Sequence, residues 1–282
     1  MRLPLLSIVI ANYNYGRFLE EAIRSVVEQD GFDQCELVIV DGGSTDNSVE
    51  IIRKYADKIA WWCTEKDRGQ SAAFNKGFSH ARGRYLTWLN ADDIYLPHAL
   101  RQVINMLQRT NADWATANFV RFDRVNRKIT EAKWGPHWLP RWMQGNGWPV
   151  AAYGPTTFWK RSVYEKLGPI REDFAYAMDT EYWTRMYMAG IKQVRINVPC
   201  WGFGMHLASK TAEFDGHSCS EQVKERQREE ELLRHTINGY REHPLKVLFS
   251  KTWRILDGSF LVQLLRRYFV VGRTVELIKE RE

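Results

Sequence analysis

The sequence predicts an α/β fold in which a mostly parallel β-sheet is flanked by helices and followed by a C-terminal helical appendage. Up to about residue 120, apolar runs that suit buried strands alternate with segments of helical spacing, joined by short polar loops. Beyond residue 216 the pattern changes to long, charged helices. We therefore expect one main domain over residues 1–215, with halves 1–110 and 111–215, and a helical extension over 216–282.

The order of the elements follows from the spacing of apolar residues. Apolar runs predict strands at residues 5–11, 36–41, 59–64, 84–89, 113–122 and 193–199. Apolar residues three and four positions apart predict helices at residues 15–29, 49–55, 70–81, 97–107, 157–167, 176–189, 221–239 and 244–279. Between residues 124 and 149 this periodicity fails, and Gly, Pro and Trp residues predict an irregular loop.

The composition is that of an ordered globular chain. Hydrophobic residues make up 44% of the 282 residues and aromatic residues 13%, which excludes intrinsic disorder. The four cysteines are scattered, so we expect free thiols in a reducing compartment rather than disulfides or a zinc site. No apolar run approaches the roughly 20 residues of a membrane-spanning helix. The apolar start of the chain suits a buried strand better than a secretory signal.

The net charge of +6 is unevenly distributed. Residues 1–110 hold 13 basic and 14 acidic side chains, whereas residues 111–282 hold 27 and 20. Such an excess is compatible with nucleic acid, an anionic membrane surface or an anionic substrate. The basic residues of the C-terminal part are mixed with acids and form no recognised motif, so we expect no nucleic-acid partner.

Polar residues follow four of the predicted strands. Because ligands bind at the carboxyl ends of parallel strands, these residues predict a ligand site at one edge of the sheet. The four groups are Asn12–Asn14, Asp41–Gly43, Glu65–Gly69 and Asn90–Asp93.

Several acids in this pattern are candidates for chemistry. Adjacent carboxylates at Asp92 and Asp93 favour a divalent cation that bridges a diphosphate, although either residue would also serve as a helix cap. Asp41 precedes a two-glycine turn and is placed to accept a hydrogen bond from the ring N–H of a base. Asp179 and Glu181 diverge by roughly 200° on a helix, so only one of them can face a common site.

Asp179 has two interpretations from the residues alone. A carboxylate at a helix start that faces a cleft is a candidate general base, and an acid there is also favoured by the helix dipole. His206, which follows the last predicted strand, is either a ligand of a metal or phosphate or a structural residue.

Six segments, in order over residues 5–210, resemble the family 2 glycosyltransferases. These are mostly inverting, nucleotide-sugar-dependent enzymes with the Rossmann-like GT-A fold. The segments are LSIVIANYNYGRFLEEAIRSVVEQ, ELVIVDGGSTDNSVEII, EKDRGQSAAFNKGF, GRYLTWLNADDIYLPHAL, GPTTFWKRSVYEKLG and the stretch around MDTEYW.

The resemblance implies roles for individual residues. Asp92 would hold Mn²⁺ or Mg²⁺ on the diphosphate together with His206, and Asp179 would be the catalytic base. The implied nucleotide-binding residues are Ala11, Tyr13, Asp41, Arg68, Gly69, Asn75, Asn90 and Ala91. The implied sugar or acceptor residues are Asp93, Trp134, Trp138, Thr156, Glu181 and Lys210. Two positions depart from the family pattern, since Asn90 replaces the usual first Asp of the metal motif and Met178 the usual Glu before the base.

The implied function is transfer of a hexose from a nucleotide sugar, with UDP as the expected nucleotide, to a hydroxyl of a glycan or lipid-linked saccharide with inversion. Bacterial cell-surface polysaccharide synthesis on the cytoplasmic side would be its setting. A GT-A-like nucleotidyltransferase and a non-catalytic nucleotide-sugar-binding protein are the alternatives. The basic, amphipathic tail at 244–279 would pack on its own domain, form a homodimer, or bind an anionic membrane face peripherally.

Overall fold

The computed structural model describes residues 3–133, 152–206, 224–225, 227–229, 231–232, 271 and 273. Its described residues form a nine-stranded sheet in the order β3-β2-β1-β4-β8-β6-β9-β5, with β7 paired to β6. The strands are β1 Leu6–Asn12, β2 Cys35–Asp41, β3 Ile59–Thr64, β4 Tyr85–Asn90, β5 Ile94–Tyr95, β6 Trp114–Asp123, β7 Ile129–Lys133, β8 Thr157–Lys160 and β9 Gln193–Met205. The helices are α1 Gly16–Val27, α2 Ser48–Lys54, α3 Gln70–His80, α4 Ala99–Thr110, α5 Arg161–Leu167 and α6 Met178–Met188.

The N-terminal half of the sheet is parallel, as the alternation of strands and helices predicts. β1 pairs with β2 on one side and β4 on the other, and β3 lies outside β2. The register sets Asn12 beside Asp41, Asp41 beside Thr64, and Ala11 beside Asn90. The polar groups that follow these strands therefore meet at one edge of the sheet, which confirms that part of the prediction.

The second half of the sheet is mixed. β8 lies antiparallel between β4 and β6, β9 runs parallel to β6, and β5 pairs antiparallel with β9. Sequence periodicity missed the two-residue strand β5, which is too short to carry a pattern, and it ended β9 too early at residue 199.

Two predicted elements are wrong in type. The helix expected over 157–167 begins only at Arg161, because Thr157–Lys160 form strand β8, whose β-branched and aromatic side chains pair with β4 and β6. The irregular loop expected over 124–149 begins instead with a β-hairpin, since Ile129–Lys133 form β7 against β6. The rest of that segment, from residue 134, lies outside the described residues up to residue 151.

Four fully buried tryptophans fix helix α6 on the sheet. Trp183 of α6 stacks on Trp88 of β4, with ring centroids 5.1 Å apart and an interplanar angle of 6°. Trp159 meets Trp183 edge-on at 5.3 Å, and Trp114 lies 6.0 Å from Trp183. Offset and edge-to-face aromatic contacts of this kind add to the energy of area burial. The position of α6 is therefore set by the core.

Few residues of the C-terminal extension are described, and two of them, Glu229 and Arg273, form hydrogen bonds with the domain. Within the helix predicted at 221–239, residues 224–225, 227–229 and 231–232 are helical. Glu229 accepts hydrogen bonds from the N–H groups of residues 175–177, and the carbonyl of Arg273 accepts one from the N–H of Ile129 at 2.8 Å. The helix predicted at 244–279 otherwise lies outside the described residues. Within the described part of the chain, no helix has the length and apolar character needed to cross a membrane.

Candidate active site

Asn90 ends strand β4 and connects two parts of the strand edge. Its Nδ2 donates to Asp93 Oδ2 at 2.7 Å, and its Oδ1 accepts from Gln70 Nε2 at 3.1 Å. An aspartate at position 90 would place a further carboxylate against the buried Asp93, in place of the amide N–H that Asp93 accepts here. Asn90, which stands where the family motif usually has Asp, therefore satisfies Asp93 without adding a negative charge.

Asp93 points into the protein rather than toward a ligand. It is fully buried and accepts the N–H of Gly204 at 3.0 Å in addition to the amide of Asn90. Burial, followed by repulsion from the Asp92 carboxylate, raises the pKa of Asp93 well above its ordinary value. Asp93 thus joins the end of β4 to β9, and the structure does not place it among residues that would touch a sugar.

Asp92 faces His206, and the two side chains form the candidate cation site. Asp92 Oδ2 lies 3.1 Å from His206 Nε2, and both side chains are largely buried. The ring of His206 packs on Phe18 at 4.4 Å, which fixes its plane. Arg124 Nε donates to the backbone carbonyl of Asp92 at 3.0 Å. Both partners of the pair are therefore held in place.

The donor set at this point fits a divalent ion bound jointly with a substrate. A carboxylate oxygen and an imidazole nitrogen 3.1 Å apart can ligate one cation together. Among the described residues, no group of three His, Cys, Asp or Glu side chains that could hold a metal is present. Phosphate oxygens or water would have to supply the remaining ligands, as is usual for Mg²⁺ and similar ions.

Asp41 is enclosed by protein hydrogen bonds. Its Oδ1 accepts from Asn12 Nδ2 at 2.7 Å and from the Ser44 hydroxyl at 2.5 Å, and its Oδ2 accepts from the Ser44 N–H at 2.9 Å and from the Thr64 hydroxyl at 2.7 Å. Burial opposes ionisation, but these bonds outweigh it and lower the pKa of Asp41. A carboxylate offers about four lone-pair sites, so Asp41 would have to release a partner in order to accept from a base.

The loop after β3 lies over the turn at Gly42. A Cβ on Gly42 would come within 2.7 Å of a carboxylate oxygen of Asp67, so a larger residue would displace that side chain. The other Asp67 oxygen accepts the N–H of Gly69 at 2.8 Å. Arg68 is mostly exposed and pairs with Glu172 at 2.9 Å. Tyr13 is 58% exposed, so its ring is available at the mouth of this edge.

Asp179 is the second residue of α6. Its Oδ1 accepts the N–H of Thr180 at 2.6 Å, and the backbone of Gly154 provides a further hydrogen bond. Burial raises the pKa of Asp179, and those hydrogen bonds only partly offset the effect. A partly accessible carboxylate with a raised pKa is suited to take a proton from a bound group.

A short chain of contacts connects Asp179 to the strand edge. The Ser71 hydroxyl lies 3.0 Å from the sulfur of Met178, next to Asp179. Ser71 follows Gln70, whose side chain donates to Asn90. The start of α3 therefore contacts both the end of β4 and the residue that precedes Asp179.

Three predicted site residues have other duties in the structure. Asn75 bonds the backbone N–H and C=O of Ile170 at 2.9 and 2.8 Å and so holds the loop before α6. Glu181 is buried and forms an ion pair with Arg185, with Oε1 and Nε 2.7 Å apart. Residues two positions apart on a helix point in different directions, so Glu181 and Asp179 do not share one site, as expected. Thr156 is buried, and its hydroxyl donates to a backbone carbonyl at 2.6 Å.

The remaining predicted residues follow the sheet edge or lie outside the described part. Ala11 and Ala91 flank the edge at the ends of β1 and β4. Trp134, Trp138 and Lys210 lie outside the described residues.

Sequence reasoning missed Ser71, Arg124 and Glu229, which support the site. Arg124 is almost fully buried, forms an ion pair with Glu21 and bonds the Asp92 carbonyl. The partners of these residues are from 32 to 107 positions away along the chain, and spacing gives no signal at such distances.

The fold has the mixed α/β architecture of GT-A glycosyltransferase structures. Its parallel half ends in the polar edge just described, and its mixed half carries the helix with the candidate base. The sequence profile of glycosyl transferase family 2 matches residues 7–168, more than half of the chain, and the chain belongs to this family.

Curated relatives cover part of the chain. An uncharacterized glycosyltransferase of Nostoc sp. strain PCC 7120 is 35% identical over 177 residues, which are 58% of this chain and 53% of the relative. Glycosyltransferase GlyG of Streptococcus pneumoniae serotype 4 is 31% identical over 122 residues, which are 42% of this chain and 40% of GlyG. The chain thus spans about half the length of the curated relatives it matches.

Solved structures share the fold. S. aureus TarS in complex with UDP-GlcNAc superposes with a TM-score of 0.63 at 15% identity, over 86% of this chain and 69% of TarS. The mannosyltransferase PcManGT from Pyrobaculum calidifontis, in complex with GDP-Man and Mn²⁺, has a TM-score of 0.56 at 20% identity, over 76% of this chain and 60% of PcManGT. At these identities the likeness shows the fold alone.

Proposed function

We propose that this glycosyltransferase transfers a sugar from a nucleoside diphosphate sugar to a hydroxyl of a glycan or lipid-linked saccharide, with inversion at the anomeric carbon. The observation that supports the proposal is the pair of candidate cation ligands after β4, with a carboxylate of raised pKa connected to the end of that strand through the contacts of Gln70 and Ser71. Asp92 and His206 supply cation ligands 3.1 Å apart, and Asp179 supplies a carboxylate with a raised pKa.

In the proposed reaction Asp179 takes the proton of the acceptor hydroxyl as that oxygen attacks the anomeric carbon. The new glycosidic C–O bond forms while the bond from the anomeric carbon to the diphosphate oxygen breaks, and the nucleoside diphosphate leaves with the electron pair. Attack and departure occur on opposite faces in one displacement, so the configuration inverts. The raised pKa lets Asp179 hold the proton better than an ordinary aspartate would.

Asp92 and His206 would hold the divalent cation, Mn²⁺ or Mg²⁺, whose chemistry is to neutralise charge on the departing diphosphate. Asn90 donates a hydrogen bond to Asp93, and Asp92, whose carboxylate faces His206, is the acid proposed to bind the cation. The neighbour PcManGT contains Mn²⁺ with its nucleotide sugar, which supports this assignment by analogy of fold.

For the donor we infer a UDP-sugar. The likeness to TarS, whose structures contain UDP or UDP-GlcNAc, supports this choice. Tyr13 is exposed at the mouth of the site and offers a ring to the base, while Asp41 organises the loop beneath it. A GDP-sugar, as in PcManGT, is the alternative.

For the setting we infer bacterial cell-surface polysaccharide synthesis at the inner face of the membrane. The basic excess of residues 111–282 supports contact with an anionic leaflet. Salt-sensitive binding to phosphatidylglycerol vesicles would support this placement, whereas a salt-insensitive dimer that ignores vesicles would favour packing of the tail between two copies.

A donor screen tests the class of reaction. UDP-GlcNAc, UDP-glucose, UDP-galactose and GDP-mannose are each incubated with the protein and Mn²⁺, and release of the nucleoside diphosphate is measured with and without EDTA. We expect release from one donor, abolished by EDTA. Binding without release would favour a nucleotide-sugar-binding protein, and pyrophosphate formation from UTP and a sugar phosphate would favour a nucleotidyltransferase.

The variant Asp179→Asn tests the base. We expect transfer to fall on the order of 10²- to 10⁴-fold, while UDP binding measured by calorimetry stays within twofold. Because burial disfavours the charged form of Asp179, the neutral variant should melt no lower than the wild type. Asp173→Asn, an exposed aspartate on the preceding loop, is the control and should keep full activity. Unchanged transfer by Asp179→Asn would remove Asp179 from the role of base.

A further inference from the structure

Glu229 is a buried carboxylate that the proposed reaction does not use. Only 2% of the residue is exposed, although its neighbours Glu225 and Arg228 lie on the surface. Its Oε1 accepts the N–H of Ala175 at 2.5 Å, and its Oε2 accepts the N–H groups of Tyr176 and Ala177 at 2.9 and 2.8 Å. One side chain of the C-terminal extension thus satisfies three consecutive backbone donors in the domain.

These three donors lie where helix α6 begins. The first N–H groups of a helix have no partner within it and are usually satisfied by a side chain at the cap. The residue before α6 is Ala177, which has no polar side chain, and no side-chain hydrogen bond from the cap residue is present. Glu229 instead accepts the N–H of the cap residue Ala177 and those of the two residues before it, from a position 52 residues further along the chain. Its negative charge also matches the positive end of the helix dipole.

The segment bound by Glu229 leads directly into the turn that carries Asp179. Asp179 follows Ala177 by two residues, and its Oδ1 is bound by the N–H and hydroxyl of Thr180, in the same turn. The direction of the Asp179 carboxylate therefore depends on the backbone of that turn. The hydroxyl of Ser71, in helix α3, contacts the same segment at the carbonyl of Phe174 and the sulfur of Met178. Glu229 and Ser71 thus both form hydrogen bonds with the segment that leads to Asp179.

We propose that Glu229 is a positioning residue for the catalytic base, and that through it the C-terminal extension completes the active site. This inference rests on the proposed role of Asp179. A carboxylate that accepts several backbone N–H bonds is a strong and directional support, and residues that hold a catalytic group in place commonly contribute about 10- to 100-fold to function.

A purely stabilising role makes a different prediction. If Glu229 only added to global stability, its replacement would lower the melting temperature, and the folded fraction would keep the wild-type turnover. If Glu229 positions Asp179, turnover falls at temperatures where the variant is fully folded, and the amides of residues 175–177 lose protection locally.

The experiment compares Glu229→Gln with Glu225→Gln in the full chain. The glutamine keeps the shape of Glu229 but turns an NH₂ group toward backbone donors, whereas Glu225 is exposed on the same helix and serves as the control. Hydrogen–deuterium exchange is followed in peptides that cover residues 174–182. Hydrolysis of UDP-GlcNAc, or of the panel donor turned over fastest, is measured with Mn²⁺, and UDP affinity is measured by calorimetry.

We expect Glu229→Gln to speed exchange in that segment alone and to lower kcat on the order of 10- to 100-fold, with UDP affinity within twofold and Glu225→Gln unchanged. Unchanged exchange, or unchanged kcat in the folded variant, would overturn the inference. Should Glu229→Gln fail to fold, Glu229→Asp, one methylene shorter, is judged by the same two measurements. Asp179→Asn is assayed in parallel to distinguish the two proposals. Undiminished turnover in that variant would show that Asp179 is not the base. The exchange measurement on Glu229→Gln would then still decide whether Glu229 holds the segment before α6.

Discussion

At the scale of single residues, three aspartates of the site differ in pKa because their partners differ. Desolvation raises the pKa of Asp93 and of Asp179, and their hydrogen bonds do not offset it. In Asp41, bonds from Ser44, Thr64 and Asn12 outweigh burial and lower the pKa. Asp41 therefore stays ionised as a structural anchor, whereas Asp179 holds a proton more readily.

The pH dependence of transfer follows from Asp179. A general base must be ionised before it can accept a proton, so activity is full above its pKa and falls as the pH decreases through it. Because burial raises that pKa, we expect the acidic limb of kcat/KM to lie above the ordinary aspartate value of 3.8. A pH profile measured with saturating Mn²⁺ checks this, with Asp173→Asn as control. A profile flat down to pH 4 would contradict it.

His206→Ala should weaken the cation site. The variant removes one of the two proposed cation ligands and leaves Asp92 in place, so we expect Mn²⁺ affinity in the presence of UDP to fall about tenfold or more. Calorimetric titration of Mn²⁺ gives the value. His98→Ala, which alters an exposed histidine near Asp30, is the matched control. Equal Mn²⁺ affinity in both variants would show that His206 is no ligand.

At the scale of elements, close approach of α3 to the sheet sets the position of the site. Gly77 of α3 lies so close to β1 that a Cβ there would come within 2.2 Å of Val9 Cγ1. The same helix begins with Gln70 and Ser71, which contact Asn90 and Met178. A helix held further from β1 would move both contacts.

Gly77→Ala tests this close packing. Alanine favours the helix by about 1 kcal/mol over glycine, but overpacking of a core costs about 1–3 kcal/mol, and the short distance makes the clash prevail. We expect the free energy of unfolding in urea to fall by roughly 1–2 kcal/mol. Ser79→Ala, on the exposed face of α3, should change it little. If Gly77→Ala were more stable than the wild type, the spacing between β1 and α3 would have to adjust at little cost, which would contradict the prediction.

At the scale of the whole molecule, α6 joins the core, the site and the C-terminal extension. Trp183 packs it on the sheet, Asp179 lies in its first turn, and Glu229 satisfies the N–H groups before it. The extension is therefore part of the same folded unit at the point where Glu229 binds.

A chain that ends at residue 215 tests whether the C-terminal extension stabilises the domain. It leaves the N–H groups of residues 175–177 without their acceptor, and a buried donor without a partner costs about 1–3 kcal/mol. We expect the truncated chain to unfold at lower urea than the full chain, with a loss of at least about 2 kcal/mol. Coincident unfolding curves for the two chains would show that the extension adds nothing to the domain.

The sequence by itself determined the parallel half of the sheet and the family. Alternating apolar runs and helical spacing are local signals, and the polar strand ends meet because parallel strands share an edge. Asp92, Asp93, Asp41 and Asp179 were visible as candidates for the same reason, since each follows a strand or starts a helix.

Only the tertiary structure decided where each acidic side chain points and which partners it has. Asp93 is turned inward by Gly204, which lies 111 residues away, and Glu181 is paired with Arg185, while Asp179 remains partly accessible. Strand β8 formed where spacing predicted a helix, because two neighbouring strands paired with it. Glu229 is bound by three backbone N–H groups that lie more than fifty residues away along the chain. Spacing along the chain encodes local structure, whereas burial and the partners of a charge depend on contacts that only the folded chain brings together.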